Sequence, residues 1–113
     1  MELYHEIKEK AFILILCGNL DGYNAGEINR MLKKAVKSRK ENILVDCRNL
    51  QTVSSSGIGA FLSHLPDFKA HQINLVFFGL SLGVRKAFTF LGVDAIFTIN
   101  DELPEAFFDA ALS

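Results

Sequence analysis

The most chemically distinctive segment of the sequence holds three consecutive serines followed by two closely spaced glycines. Residues 54–59, SSSGIG, come directly after an apolar run and open a stretch with helical periodicity. The oxygen of Ser55 or Ser56, at the start of a helix, can cap free backbone N–H groups beside the positive helix pole. Gly57 and Gly59 leave the backbone unshielded, which lets a partner approach closely. These residues predict an accessible hydroxyl, although an ordinary N-cap in a turn explains the same pattern.

A second polar loop, residues 18–24 (GNLDGYN), follows an earlier apolar run. Its Asn24 is a good helix N-cap, and Glu27 three residues later can complete a capping box. Each loop follows a strand, and one helix connects the two strands. Because loops at the carboxyl ends of parallel strands share one edge of the sheet, we expect the two loops to lie side by side.

The apolar pattern predicts the elements that position these loops. Residues 3–9 alternate weakly, residues 12–16 are apolar on both faces as in a buried strand, and Lys10 marks the turn of an antiparallel hairpin. Later strands are expected at 42–47, 73–78 and 95–99. Helices are expected from Asn24, from the serines with Pro66 kinking or ending a segment, from Ser81 to Gly92, and from Asp101 with Leu103, Ala106, Phe107 and Ala110.

This alternation predicts one α/β domain over residues 1–113, with a mixed, mostly parallel sheet and amphipathic crossover helices. The chain has 12 basic and 13 acidic residues, and half of its residues are apolar. Near-neutral charge argues against nucleic acid or an anionic membrane as a partner. No segment resembles a signal peptide or is long enough to insert into a membrane, and Cys17 and Cys47 are expected to be reduced and packed. We therefore expect a soluble, cytoplasmic protein.

Catalytic and cofactor signatures do not fit the sequence. The serine loop lacks the glycine that a G-x-S-x-G nucleophile elbow places two residues before the serine. No P-loop, third dinucleotide-binding glycine or zinc spacing occurs, so neither a cofactor nor a metal is expected. His64 and His71 fall on or after the second helix and are expected at the surface.

Five short segments together form a pattern in which order and spacing matter more than any one piece. They are 18–25 (GNLDGYNA), 43–46 (ILVD), 55–59 (SSGIG), 75–81 (LVFFGLS) and 91–93 (LGV), and they extend over nearly the whole chain. The pattern resembles the STAS domain family, which includes bacterial anti-sigma factor antagonists and the cytoplasmic domains of sulfate transporters.

The resemblance implies that Ser56, immediately before the glycine, is the phosphoacceptor and that Asp21 lies close to its hydroxyl. Asn24, Ser55 and Gly57 would complete the surroundings of the phosphorylation site. Antagonists usually have an aspartate two residues before the phosphoacceptor, where this chain has Ser54.

The resemblance further implies a non-catalytic regulator that binds an anti-sigma factor with serine kinase activity and is switched by phosphorylation. The alternative is an accessory subunit that docks on a membrane complex transporting lipids or anions. In either case the second helix and the two loops are expected to form the partner surface, near Tyr23, Gly59, Ser63 and Asp67. The sequence predicts no oligomeric state.

Overall fold

The structure, a computed structural model, describes residues 1–101. In this range the chain forms five strands and three α-helices, with short 3₁₀ turns at Gly22–Asn24 and Val93–Ala95. The elements in chain order are β1 (Glu2–Ile7), β2 (Ala11–Leu20), α1 (Ala25–Lys37), β3 (Asn42–Val53), α2 (Ser55–Ala70), β4 (Asn74–Phe78), α3 (Leu82–Phe90) and β5 (Thr98–Asn100). Within the same range, no helix is long and apolar enough to cross a bilayer.

The five strands form one sheet whose spatial order is the same as their order in the chain. β1 pairs antiparallel with β2, whereas β2, β3, β4 and β5 run parallel to one another. An α-helix connects each pair of neighbouring parallel strands, as the sequence predicts. The mostly parallel α/β architecture with one antiparallel strand at its start is therefore confirmed.

All three helices pack against one face of the sheet. α1 buries Ile28, Leu32 and Ala35, which recur at helical spacing, and it exposes its lysines on the opposite side. In the middle of the core, the ring of Phe77 on β4 contacts three other phenylalanine rings, at centroid distances of 4.8–5.5 Å. These rings come from α2, α3 and the segment before β5: Phe61, Phe88 and Phe97.

Local signals fix the ends of α3 as predicted. The Ser81 hydroxyl accepts a hydrogen bond from the backbone N–H of Val84, 3.2 Å away, and so caps the helix. Gly92 has φ +75°, the left-handed conformation that favours glycine just beyond a helix end. The helix expected after Asp101 falls on residues 102–113 and so lies outside the described residues.

Several element boundaries differ from the predicted ones. β1 is Glu2–Ile7 instead of residues 3–9, and β2 is Ala11–Leu20 instead of residues 12–16. β3 continues to Val53, well beyond Cys47, because its second half pairs with β2 alone. The last strand is Thr98–Asn100, since residues 93–95 form a 3₁₀ turn. α2 does not end at Pro66, which is exposed inside a helix of 16 residues.

Asp46, part of the family-like segment 43–46, has a structural role. It is 4% exposed, and both of its carboxylate oxygens accept hydrogen bonds from the Arg48 guanidinium, at 2.7 and 3.0 Å. Oδ1 also accepts the backbone N–H of Arg48. These bonds raise the pKa of Arg48 and supply the pairing that a buried carboxylate requires.

Both cysteines are free thiols, as expected. Cys47 is fully buried, and this burial raises the pKa of its thiol well above the ordinary value. Its reactivity is correspondingly suppressed, because the thiolate is the reactive form.

Candidate functional site

The two polar loops predicted to be neighbours are joined directly. The backbone N–H of Ser54 donates to the carbonyl oxygen of Leu20 over 2.9 Å, as an extension of the pairing between β2 and β3. One residue pair earlier along the same two strands, the Thr52 hydroxyl donates to Oδ1 of Asn19, at 2.7 Å. This Asn19–Thr52 pair is not predicted from the sequence; its only signal is a polar residue near the end of each strand.

Ser54 is the residue that caps α2, which corrects the assignment of the cap to Ser55 or Ser56. Its backbone is extended, with φ −113° and ψ 163°, and its hydroxyl oxygen accepts the N–H of Gly57 at 3.3 Å. Because β3 continues to Val53, the first residue between strand and helix is Ser54. Ser55 and Ser56 are consequently exposed residues of the first helical turn, and their side chains are not needed for this cap.

Gly57 lies where the two loops come closest, and the prediction that its backbone faces a partner is wrong. It is buried, and a Cβ at this position would lie 2.7 Å from the carbonyl carbon of Leu20 and 2.8 Å from the nitrogen of Asp21. Only glycine fits at this distance. A Cβ at Gly59, by contrast, would have no atom within 4 Å, so the backbone there is open as predicted.

Asp21 and Asn24 organise the first loop through side-chain hydrogen bonds. Oδ1 of Asp21 accepts the backbone N–H of Tyr23 at 2.9 Å and the Asn24 amide at 3.0 Å. The same amide donates to the carbonyl oxygen of Asn19, at 2.7 Å. Asn24 is the N-cap residue of α1 by position, as predicted, but its side chain makes no cap bond to the helix and holds the loop together instead.

The two loops place Ser56 against the turn that carries Tyr23. A Cβ added to Gly22 would lie 3.2 Å from Cβ of Ser56 and 3.8 Å from its hydroxyl oxygen. Tyr23, next along this turn, is 99% exposed. A fully exposed tyrosine next to accessible hydroxyl groups is a surface that a protein partner can use as an anchor.

The predicted contact residues of α2 lie on one stripe of that helix. Gly59, Ser63 and Asp67 are four residues apart, so their positions follow one side of the helix over about 12 Å. Ser63 and Asp67 are exposed and Gly59 is half-buried. The stripe begins next to the serine loop and extends toward the C-terminal end of α2.

The histidines are held away from the serines by contacts of their own. Nε2 of His64 lies 3.0 Å from Oδ1 of Asn29 on α1, and its ring stacks on Phe68. It is half-buried, not at the surface as predicted, and burial lowers its pKa. His71 is exposed at the other end of α2, where Nδ1 lies 2.8 Å from the carbonyl oxygen of Asp67. In the described part of the chain, no group of three or more acidic, histidine or cysteine side chains is arranged to hold a metal.

The contact at Gly57 predicts opposite effects for two alanine substitutions in one helix. Gly57→Ala should lower the free energy of unfolding by about 1–3 kcal/mol, because its methyl group overlaps the backbone of the first loop. Gly59→Ala is the matched control and should raise it by about 0.5–1 kcal/mol through better helix propensity. Urea unfolding measures both, and equal effects of the two substitutions would contradict the contact.

Comparisons with known proteins identify the family of this chain. A family model described as the STAS domain matches residues 3–106. The anti-sigma-B factor antagonist of Listeria monocytogenes serovar 1/2a is 28% identical over 106 residues, which cover 89% of this chain and 91% of that protein.

Solved structures extend the likeness to the fold. The anti-sigma factor antagonist SpoIIAA in its unphosphorylated form has a TM-score of 0.73 and 20% identity, covering 99% of each chain. The phosphorylated form of SpoIIAA, from Bacillus, has a TM-score of 0.69 and 20% identity, covering 97% of this chain and 99% of that one. A sulfate transporter family protein from Wolinella succinogenes has a TM-score of 0.75 and 15% identity, covering 95% and 89%. With the family match over nearly its whole length, this chain belongs to the STAS domain family.

Proposed function

We propose that this chain is an anti-sigma factor antagonist, a non-catalytic protein that binds an anti-sigma kinase and is switched by phosphorylation of Ser56. The observation that carries the proposal is a pair of exposed serines at the start of α2, fixed against a loop that presents Asp21 and Tyr23. The similarity to the Listeria antagonist supports the same function.

The first turn of α2 can accept a phosphate without loss of the helix. A phosphoserine adds about −1.5 to −2 charges, and the positive pole of a helix stabilises negative charge at its start. The first turn contains no acidic residue that would oppose this charge. The cap is independent of the acceptor, because the hydroxyl that caps the helix belongs to Ser54.

The phosphate would then change the charge and shape of the partner surface and leave the helix intact. Ser56 lies against Gly22, so a phosphate on its hydroxyl adds charge and volume beside the turn that carries Tyr23. Asp21 is already in this loop, with one oxygen held by two N–H donors. A kinase that binds the unphosphorylated surface would lose shape fit and face a second anionic group beside Asp21, which weakens binding.

A second function, docking on a membrane transport complex, is favoured by one observation, the likeness to the Wolinella sulfate transporter family protein. Both functions would use a partner surface on the same fold. The genes that neighbour this one distinguish them: an anti-sigma kinase gene favours the antagonist, and a transporter cluster favours docking.

Phosphorylation of Ser56 is the first direct test. Incubation with ATP, Mg²⁺ and the serine kinase encoded in the same gene neighbourhood should place phosphate on Ser56, because this residue is exposed, is not used by the helix cap and lies against Gly22 of the Asp21 loop. Tandem mass spectrometry locates the phosphate. Ser56→Ala should abolish incorporation, whereas the matched Ser55→Ala should retain it.

Three outcomes separate the parts of this proposal. Phosphate on Ser55 alone would contradict the assignment to Ser56 and leave a phosphorylation switch at the same turn. Phosphate outside residues 54–56 would contradict the serine loop as the modified segment. No phosphate with any kinase of the gene neighbourhood would favour transport docking.

Ser54 provides a second test, because an aspartate can also cap a helix. Ser54→Asp should keep the fold and raise the phosphorylation rate of Ser56 severalfold, since a carboxylate near the hydroxyl can orient it or help to bind the metal-bound nucleotide of the kinase. Ser54→Asn, which caps without charge, is the control. Repulsion between the new carboxylate and the incoming phosphate opposes the expected increase in rate. It costs roughly 1 kcal/mol and weakens as the salt concentration rises. Phosphorylation rates measured at two salt concentrations distinguish the two effects. If Ser54→Asp is phosphorylated more slowly than wild type at low salt and its rate recovers at high salt, repulsion dominates and the expectation is contradicted.

Tyr23 tests the location of the partner surface. Tyr23→Ala should weaken binding of the partner kinase about tenfold or more, because buried aromatic anchors dominate the energy of interfaces. Phe90→Ala on α3 is the matched control, since Phe90 is 90% exposed and lies on another helix. Titration calorimetry measures both. Hydrogen exchange should show protection in residues 20–24 and 54–67, and protection on α3 without these segments would contradict the location.

A further inference from the structure

The other end of the sheet, where the parallel strands begin, contains a cavity of about 560 Å³. It lies between the end of α1 and the turn that follows α2, and so at the opposite end of the strands from the serine loop. Its lining residues are Val36, Lys37, Arg39, Lys40, Glu41, His71 and Ile73.

Positive charge is concentrated at this cavity, although the chain as a whole has a net charge of −1. Three permanent cations, Lys37, Arg39 and Lys40, face one carboxylate, that of Glu41. A second hollow shares Arg39, Lys40 and Glu41 and adds Lys10 and Glu9. Several cations that converge on one concave surface attract an anion more strongly than the same cations spread over a flat one.

The backbone around the cavity supports a role for Arg39 in particular. Arg39 follows α1 with φ +61°, and Gln72 follows α2 with φ +56°, both in the left-handed region where glycine usually ends a helix. This conformation is strained for a residue with a side chain. A glycine would avoid that strain but would remove the guanidinium from the cavity. Of these two residues, Arg39 is the one that lines the cavity.

Two short contacts hold the walls of the cavity together. The backbone N–H of Asn74 donates to the carbonyl oxygen of Glu41 at 2.8 Å, which joins the two turns. Nζ of Lys40 donates to the carbonyl oxygen of Glu9, at 3.0 Å. The cavity is therefore bounded by segments that are connected to the sheet on both sides.

The lining combines this charge with apolar surface from Val36 and Ile73. The volume of the cavity lies within the range typical of small-molecule sites, about 300–1,000 Å³. A ligand that matches both features has an anionic group for the cations and a short apolar part for the two aliphatic side chains.

A structural explanation of the cations makes a different prediction. α1 and α2 both end here, and lysines near a helix C-terminus offset the negative pole of the helix. If this were the only role of the cations, their removal would lower stability and no anion would bind selectively. Arg39 and Lys40 lie beyond the last helical residue of α1, where they line the cavity.

We propose that this cavity is a binding site for a small amphiphilic anion, an organic phosphate or carboxylate with a short alkyl part. The anionic group is held by Lys37, Arg39 and Lys40, and the alkyl part contacts Val36 and Ile73. The site is independent of the serine loop and of any phosphorylation there.

The test titrates the full chain with hexyl phosphate and follows backbone amide shifts by NMR. Saturable shifts are expected in residues 36–41 and 71–73. Inorganic phosphate, which lacks the alkyl part, should bind at least about fivefold more weakly, and hexanol, which lacks the anion, should give no saturable shift.

A pair of double variants separates binding from helix-end stabilisation. Lys37→Gln with Arg39→Asn removes two lining cations, and Asn tolerates the left-handed conformation. It should weaken hexyl phosphate binding about tenfold or more. Lys33→Gln with Lys34→Gln removes the same charge from α1 outside the lining and should change the affinity less than about twofold.

Thermal melting of both double variants completes the comparison. A Lys37 and Arg39 variant that melts earlier but binds like wild type would show that the cations serve only the helix ends. Absence of saturable binding, equal weakening by both double variants, or shifts centred on residues 54–59 would each overturn the proposal.

Discussion

The backbone contact between the two loops is the constraint on which the candidate site depends. The strand pairing of β2 and β3 brings Leu20 next to Ser54, and Gly57 then allows α2 to begin directly against Asp21. A side chain at Gly57 would push the start of the helix away and separate the serines from the Asp21 loop. The relative position of the hydroxyls, the carboxylate and Tyr23 is thus decided by the absence of one methyl group.

The division of tasks among the three serines follows from this contact. Ser54 faces the helix end and caps it, which leaves Ser55 and Ser56 free for contact or modification. A neutral cap keeps the first turn of α2 free of carboxylates, so its N–H groups and the nearby Asp21 set the local electrostatics. A change of charge on an exposed serine then meets no acidic side chain within the first helical turn, and Asp21 of the adjoining loop is the nearby carboxylate.

The sequence predicts features governed by local pattern and misses those governed by strand register. The hairpin at Lys10, the cap at Ser81 and the left-handed Gly92 are each encoded in a few neighbouring residues, and the adjacency of the two loops follows from the alternation of strands and helices. The identity of the capping serine depends on where β3 ends, and that depends on its pairing with β2. This pairing shifts register twice, between Ile15 and Cys17 and again between residues 18 and 19, so each shift displaces the rest of β3 against its partner.

Misassignments at the site have the same physical origin. Glycine is associated with open backbone, yet Gly57 is buried because a loop distant in sequence packs on it. Asn24 has the residue type and spacing of a helix cap, yet its amide binds Asn19 and Asp21, which lie before it in the folded loop. In both cases the deciding partner is a backbone or side-chain group whose position only the three-dimensional arrangement defines.

The agreement between strand order in the sheet and order along the chain has a consequence for synthesis. Each strand that leaves the ribosome finds its partner already made, because its neighbour is always the preceding one. Contacts between elements close in sequence favour fast folding. No strand of residues 1–101 has to be inserted between two strands that have already paired. When the domain folds, each strand can therefore add to the exposed edge of the strand made just before it, and no paired strands have to separate to admit it.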